Sequence, residues 1–325
     1  MSSWPITFEQ VTAARDRISR WLTPTPLRSY ALLDRHVGHG ISLLAKHENF
    51  QPTGSFKVRN GLALVTALSE EARSRGVVAA STGNHGLGIS FAAQQLGTRA
   101  TICVPSGNNP EKNDGMRALG AEVVEQGRDY DEAVATMLQL AKDRGATVAH
   151  STNDPMVLAG AGTMTLEILE QAPQVDAIVI AVGGGSQAVG AITVARELAP
   201  HVAVYGVQSS GAPAQFDSFH ARARRATERA TTIAEGVATR QTYDLTHEAL
   251  RDGLKDFVTV TDAETAEAVR MILRTTHTLV EGAGAMGLAA MAKLAPQLEG
   301  KTVAIIFCGA NMDTAVLRRI LSGEL

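Results

Sequence analysis

Cysteine is nearly missing from this chain of 325 residues: there are two, Cys103 and Cys308, each inside an apolar strand-like run, ATICVP and AIIFCG. So few thiols exclude a disulfide framework or a cysteine metal cluster and fit a reducing compartment. A dominant charge is lacking as well. The formal net charge is −3, with charged residues at 19%, so no basic field exists to hold nucleic acid or an anionic membrane. No apolar stretch approaches the roughly 18 to 20 residues that span a bilayer, and no charged-then-apolar leader opens the chain. Repeats, heptads and low-complexity tracts are absent. These absences leave a cytoplasmic protein with a small-molecule partner. The length suffices for two lobes or one large α/β domain.

What is present is an alternation of short apolar runs and helix-period segments from about Gly76 onward. GVVAAST, RATICVP, AEVVEQ and ATVAHST read as buried strands, with helices in GLGISFAAQQLG, around EKNDGMRALG, and in YDEAVATMLQLAKDRG. Strands joined by helical crossovers predict a small parallel sheet. A second set runs through DAIVIAV (176–182), VAVYGVQS, DFVTVTD and KTVAIIFCG (301–309), and ISLLAKHE (41–48) is expected to join it. The larger lobe is then built from both ends of the chain. The densest charge cluster, HARARRATERATT (220–232), reads as a solvated helix or loop.

Three loops follow apolar strands, where a parallel sheet places its ligands: STGNHG (81–86), GGGSQ (183–187) and CGANMD (308–313). Glycines in GGGSQ would let backbone N–H groups converge on an anion at a helix start, although a plain tight turn reads the same way. Gly183, Gly184 and Gly185 do not complete a dinucleotide fingerprint. STGNHG sets Asn84 and a row of N–H groups at a helix N-terminus, as an anion site or as simple capping by Ser81, Thr82 or Asn84. His85 taken alone is structural. The stretch NFQPTGSFKVRN (49–60) places Lys57 behind an aromatic residue and a Pro-Thr-Gly-Ser turn, an odd setting for a surface lysine.

Together these stretches resemble the fold type II family of pyridoxal-phosphate enzymes, in particular the serine and threonine dehydratases and serine racemases. PTGSFKVR is similar to the family's lysine motif, STGNHG to its asparagine loop, GGGS to its phosphate loop, TIAEGVA (232–238) to the segment crossing the cofactor, and CGANMD to the loop beneath the pyridine nitrogen. The resemblance runs from about Thr23 to the C-terminus. It implies a two-lobed α/β fold like the tryptophan synthase β-subunit, with open, mostly parallel sheets. Residues 1–58 and 154–325 would form the large cofactor-binding domain, and 59–153 a small domain closing over the active site. By the same resemblance Lys57 attaches pyridoxal 5'-phosphate, Phe56 and Gly236 pack on its ring, Asn84 bonds its 3-hydroxyl, and Gly183, Gly184, Gly185 and Ser186 hold its phosphate. Cys308 faces the pyridine nitrogen and Glu281 lines the pocket or caps its helix. Ser81, Thr82 and His85, through side chain or backbone N–H, would bind the substrate carboxylate, with Thr152 and Asn153 near its side chain.

The implied activity is dehydration of a β-hydroxy-α-amino acid such as threonine or serine to a 2-oxo acid and ammonia, in a homodimer. Freed Lys57 would act as general base, with Thr82 the second catalytic group. Departures from the relatives bear on finer points. Cys308 stands where serine or threonine is usual, and it is uncharged, which favours elimination over transamination. Thr82 replaces the racemases' serine and crowds the α-carbon, which disfavours racemisation. Gln208 and Ala214 stand where metal-binding carboxylates would be expected, so no metal site is predicted. The alternatives are an amino acid racemase, a β-replacement synthase (where a threonine synthase-like enzyme would carry aspartate in place of Val58), and a non-catalytic binding protein on the same scaffold.

Overall fold

The computed structural model describes residues 4–325; residues 1–3, assigned above to the larger domain, lie outside the described residues. Ten strands follow one another as β1 (Leu27–Ser29), β2 (Ser42–Lys46), β3 (Val77–Ala80), β4 (Ala100–Val104), β5 (Glu122–Glu125), β6 (Thr147–Val148), β7 (Ala177–Ala181), β8 (Ala203–Ser209), β9 (Asp256–Val260) and β10 (Thr302–Ile306). They make two sheets. One has the order β1-β2-β10-β7-β8-β9 and the other β5-β4-β3-β6. All neighbours pair in parallel except β1 with β2. The larger sheet takes strands from both ends of the chain because ISLLAKHE, as expected, lies beside the KTVAIIFCG strand.

Two elements depart from the sequence reading. β1 was not foreseen, since a three-residue edge strand with one half-buried and two exposed positions carries no apolar run. β6 is only two residues long, because the His150 ring accepts the N–H groups of Thr152 and Asn153 at 3.0 and 2.8 Å and turns the chain away. The arginine-rich stretch after the helix Ala214–Ala221 is exposed irregular chain, with Arg222 and Arg224 paired to Asp252 and Asp244.

Parallel sheets covered on both faces need strands without alternation. β3 and β4 are buried at every position, as are residues 177–180 of β7 and 303–306 of β10. The helix Lys57–Ala67 lies between the two sheets, packing on the helix Asn84–Gln95 on one side and on Pro155–Gln171 on the other. Glycines make these crossings possible. A Cβ at Gly61 would fall 2.3 Å from the Gly88 carbonyl oxygen, and one at Gly88 would fall 2.4 Å from that of Lys57. No helix of the described residues is long and apolar enough to cross a membrane.

Candidate active site

The cleft is bounded at the carboxyl ends of the strands of both sheets. The Pro52–Ser55 turn is zipped to the loop after β10: Ala310 N–H donates to Gly54 O at 2.9 Å and Phe56 N–H to Cys308 O at 3.0 Å. That zipper presents Lys57 as the first residue of its helix. Its Nζ lies 3.5 Å from the Ser151 carbonyl oxygen and 4.9 Å from the centroid of the Phe56 ring. Among the described residues, no carboxylate pairs with it. Burial therefore pulls its pKa down to about 8, with Cys308 and Glu281 opposing only in part. A good share of Lys57 is neutral, and nucleophilic, near physiological pH.

From Lys57 the contacts close on themselves. Beyond Ser151, the Thr152 hydroxyl lies so near Gly184 that a Cβ there would come within 2.0 Å of it. A Cβ at Gly183 would come within 2.8 Å of the Gly236 carbonyl oxygen, and one at Gly236 within 3.7 Å of a Glu281 oxygen. Glu281 Oε1 accepts from Asn84 Nδ2 at 2.7 Å. A Cβ at Gly309 would meet both of those side chains, and Gly309 adjoins Cys308, whose carbonyl holds Phe56 beside Lys57. Residues drawn from seven separate stretches thus ring one cleft.

The glycine loop is built as an anion cradle. Gly185, at φ +100°, turns the chain into the helix Ser186–Leu198. The Gly184 carbonyl is drawn off by Thr246 Oγ1 at 2.7 Å and that of Gly183 by Thr239 Oγ1 at 3.5 Å. Among the described residues, nothing accepts the N–H groups of Gly183, Gly184 and Gly185. Unpaired donors at a helix start call for a phosphate or carboxylate.

The asparagine loop divides its labour. Ser81 Oγ accepts from Gly83 N–H at 3.2 Å and Gly86 N–H at 2.9 Å, and its own N–H is spent on Cys103 O. Ser81 Oγ thus ties the turn that opens the helix, and its own hydroxyl reaches only Gly83 O, at 3.4 Å. The His85 ring is likewise committed. Nε2 donates to Ala149 O at 2.8 Å, Nδ1 has no partner, and burial holds the ring neutral, with a pKa of about 3. A bare Nδ1 lone pair repels a carboxylate, so His85 can serve only through its backbone N–H. Thr82 is half-buried, and its hydroxyl has no partner among the described residues.

Glu281 occupies the N-cap position of the helix Gly282–Leu294 without capping it; its carboxylate turns to the cleft. Burial pushes its pKa up to about 7, against the pull of Lys112 and Asn84. Burial also raises the Cys308 thiol far above its ordinary value, so it is uncharged. Thr152, placed above near the substrate side chain, packs against the glycine loop, following the turn that His150 holds. Gln208 is buried and accepts from the N–H groups of Gln215 and Phe216 at 3.1 and 3.0 Å. Among the described residues, no cluster of three His, Cys, Asp or Glu could hold a metal ion. Sequence reasoning missed Asn311, Lys112 and His150. Asn311 lies inside a quoted motif but nothing marked it, and the other two reach the cleft only through tertiary packing.

An amine with a lowered pKa, set beside free donors for a phosphate and an uncharged thiol, suits a phosphorylated aldehyde, and this defines a class: enzymes that hold such a cofactor through lysine. The family description "Pyridoxal-phosphate dependent enzyme" matches residues 18–309, and the chain belongs to that family. It is 38% identical over 320 residues to the L-threonine ammonia-lyase of Thermotoga maritima, covering 98% of this chain and 79% of that protein. Among solved structures, a threonine deaminase from T.th. superposes with a TM-score of 0.89 at 34% identity, covering 94% of this chain and 99% of that one. Maize serine racemase superposes with a TM-score of 0.93 at 28% identity, covering 99% and 98%. The cofactor is pyridoxal phosphate, and the free donors and unpaired lysine of this cleft fit it.

Proposed function

We propose that this chain is a pyridoxal-phosphate-dependent ammonia-lyase that converts a β-hydroxy-α-amino acid, threonine, serine or a close relative, to a 2-oxo acid and ammonia. The observation that carries this reading is the closed ring of contacts from Lys57 through Thr152, Gly184, Gly236, Glu281, Asn84 and Cys308 back to Phe56. The names of the relatives supply the reaction class. The N–H groups of Gly183 to Ser186 would hold the phosphate, Lys57 the aldehyde carbon, Asn84 Nδ2 the phenolic oxygen and Cys308 the pyridine nitrogen, with Phe56 and Gly236 against the ring.

When bound, the cofactor supplies an electron sink for the pair left at the substrate α-carbon. The protein's part is to place the substrate and move protons. Backbone N–H groups of Thr82, Asn84 and His85 at a helix N-terminus hold the carboxylate. The Lys57 amine takes the α-proton. With an uncharged thiol at position 308, the proton taken by Lys57 would pass to the departing β-hydroxyl, which leaves as water, rather than back to the α-carbon. Uptake of water after release gives the 2-oxo acid and ammonium. The Thr82 hydroxyl is free to touch the substrate, and its methyl narrows the room at the α-carbon.

The same reading divides the chain into residues 1–58 with 154–325 and residues 59–153, the smaller part closing over the cleft. It also takes the protein to be a cytoplasmic homodimer: both cysteines are free and buried, as a reducing compartment allows, and light scattering tests the dimer. A racemase is the second reading, favoured by the superposition on maize serine racemase. The deciding experiment adds a panel of β-hydroxy amino acids to the holoenzyme and follows 2-oxo acid, ammonia and the substrate enantiomer. Oxo acid from one member, abolished together with the visible cofactor band in Lys57→Ala, is the expected result; enantiomer alone would make the chain a racemase.

A further inference from the structure

Asparagine amides have two ends, and only one of them can donate. Which end of Asn84 faces the cleft follows from a chain of contacts that begins at the Thr53 carbonyl. A carbonyl oxygen only accepts, so the Asn311 group 2.8 Å from it is the NH2. The same NH2 lies 2.7 Å from the Asn84 amide, which must offer its oxygen there. The Asn84 NH2 is thereby turned the other way, toward Glu281 and the cleft, where it lies 2.7 Å from Glu281 Oε1. A flipped Asn84 would set NH2 against NH2 at Asn311, and no protonation state of Glu281 repairs that.

Glu281 by itself cannot hold this orientation, since a carboxyl that gains a proton near neutral pH can donate as well as accept. Asn311 has no such freedom. Its side chain lies over Gly54, where a Cβ would meet Asn311 Oδ1 at 2.7 Å, and its backbone is anchored through the Ala310–Gly54 hydrogen bond.

We propose that Asn311 is a positioning residue of the cofactor site: tied to the Thr53 carbonyl, it fixes the Asn84 amide so that a donor, never an acceptor, meets the phenolic oxygen of pyridoxal phosphate. The proposal rests on the reading of the cleft as a pyridoxal-phosphate site. It makes Asn311 act on the cofactor entirely through Asn84, and this is what separates it from a residue that merely stabilises the loop.

The test is a double-mutant cycle on cofactor affinity, with the full chain reconstituted with pyridoxal phosphate and followed by its visible absorbance. Loss of one oriented hydrogen bond weakens binding by about 3- to 10-fold in Asn311→Ala. Asn311→Asp, nearly the same shape but with acceptors only, weakens it at least as much. Combining Asn84→Ala with Asn311→Ala adds nothing to Asn84→Ala alone, and the pH titration of the bound cofactor's band shifts alike in Asn311→Asp and Asn84→Ala. Additive effects, or an Asn311→Asp protein with the parent's affinity and band titration, overturn the proposal. If Asn311→Ala fails to fold, Asn311→Leu, of similar size and without a donor, replaces it in the cycle under the same criteria. Failure of the unsubstituted chain to bind the cofactor would instead sink the reading beneath it.

Discussion

At Glu281, burial and the needs of the site oppose each other. The carboxyl faces the cleft with Asn84 as its one hydrogen-bonded side chain, and its folded pKa of about 7 lies above the ordinary 4.5. Between those values the folded chain keeps a proton that the unfolded chain has released. Its stabilising effect is full below pH 4.5 and is lost as pH rises through 7, a decline on the order of 3 kcal/mol. Glu281→Gln keeps an acceptor for Asn84 and removes the titration. We expect the urea midpoint of the cofactor-free parent to fall relative to that of Glu281→Gln between pH 5 and pH 8, the comparison cancelling the buried histidines, such as His85, that titrate in both proteins. Lys57 and Asn84 stand out in the sequence because each belongs to a quoted motif. The division of roles within STGNHG does not, since it depends on which atoms Ser81 and His85 find nearby.

Among the elements, the helix Lys57–Ala67 matters most, because it carries the lysine and crosses the helix Asn84–Gln95 backbone to backbone. Alanine is the better helix former by about 1 kcal/mol, so Gly88→Ala would stabilise an isolated helix. Here its Cβ would lie 2.4 Å from the Lys57 carbonyl oxygen, and backbone cannot rotate away as a side chain can. The clash wins, at about 1 to 3 kcal/mol. The expected outcome is a lower Tm together with weaker cofactor uptake, because relieving the contact displaces Lys57 itself; calorimetry and reconstitution check the two effects. Strand positions were legible as continuous apolar runs. β1 and the early end of β6 were not, since an exposed edge has no apolar signature and a histidine-held turn has no local one.

Across the whole molecule, the region where the two sheets meet is pinned by buried charge. Arg59, two residues after Lys57, is bonded to Glu48 at 2.7 and 2.8 Å and to Glu167 at 2.6 and 2.8 Å, and Lys46 adds a bond to Glu167 at 2.7 Å. The four side chains are almost wholly buried and their charges balance. Removing one member strands the others, so Arg59→Met is expected to cost about 3 to 5 kcal/mol, read as a fall in denaturant midpoint. Around the rim the first turn of the helix Pro110–Ala118 reaches over the cleft from the smaller sheet. Asn109 bonds Asp313 at 2.7 Å, Glu111 accepts from Thr314 at 2.6 Å, and Lys112 pairs with Glu235. Partly exposed contacts of this kind contribute little to stability.

The sequence by itself determined the α/β class, the two mostly parallel sheets and the family, because apolar runs, helix periods and glycine-rich turns are local properties that survive as text. Only the tertiary structure decided which polar atoms are already spent. The Ser81 oxygen accepts from Gly83 and Gly86, the His85 ring is taken by a carbonyl, and the Asn84 amide is turned by Asn311, more than two hundred residues away. A hydrogen bond has direction and needs a partner within about 3 Å. Neither the direction nor the partner is set by neighbours along the chain, so they become fixed only when distant segments meet.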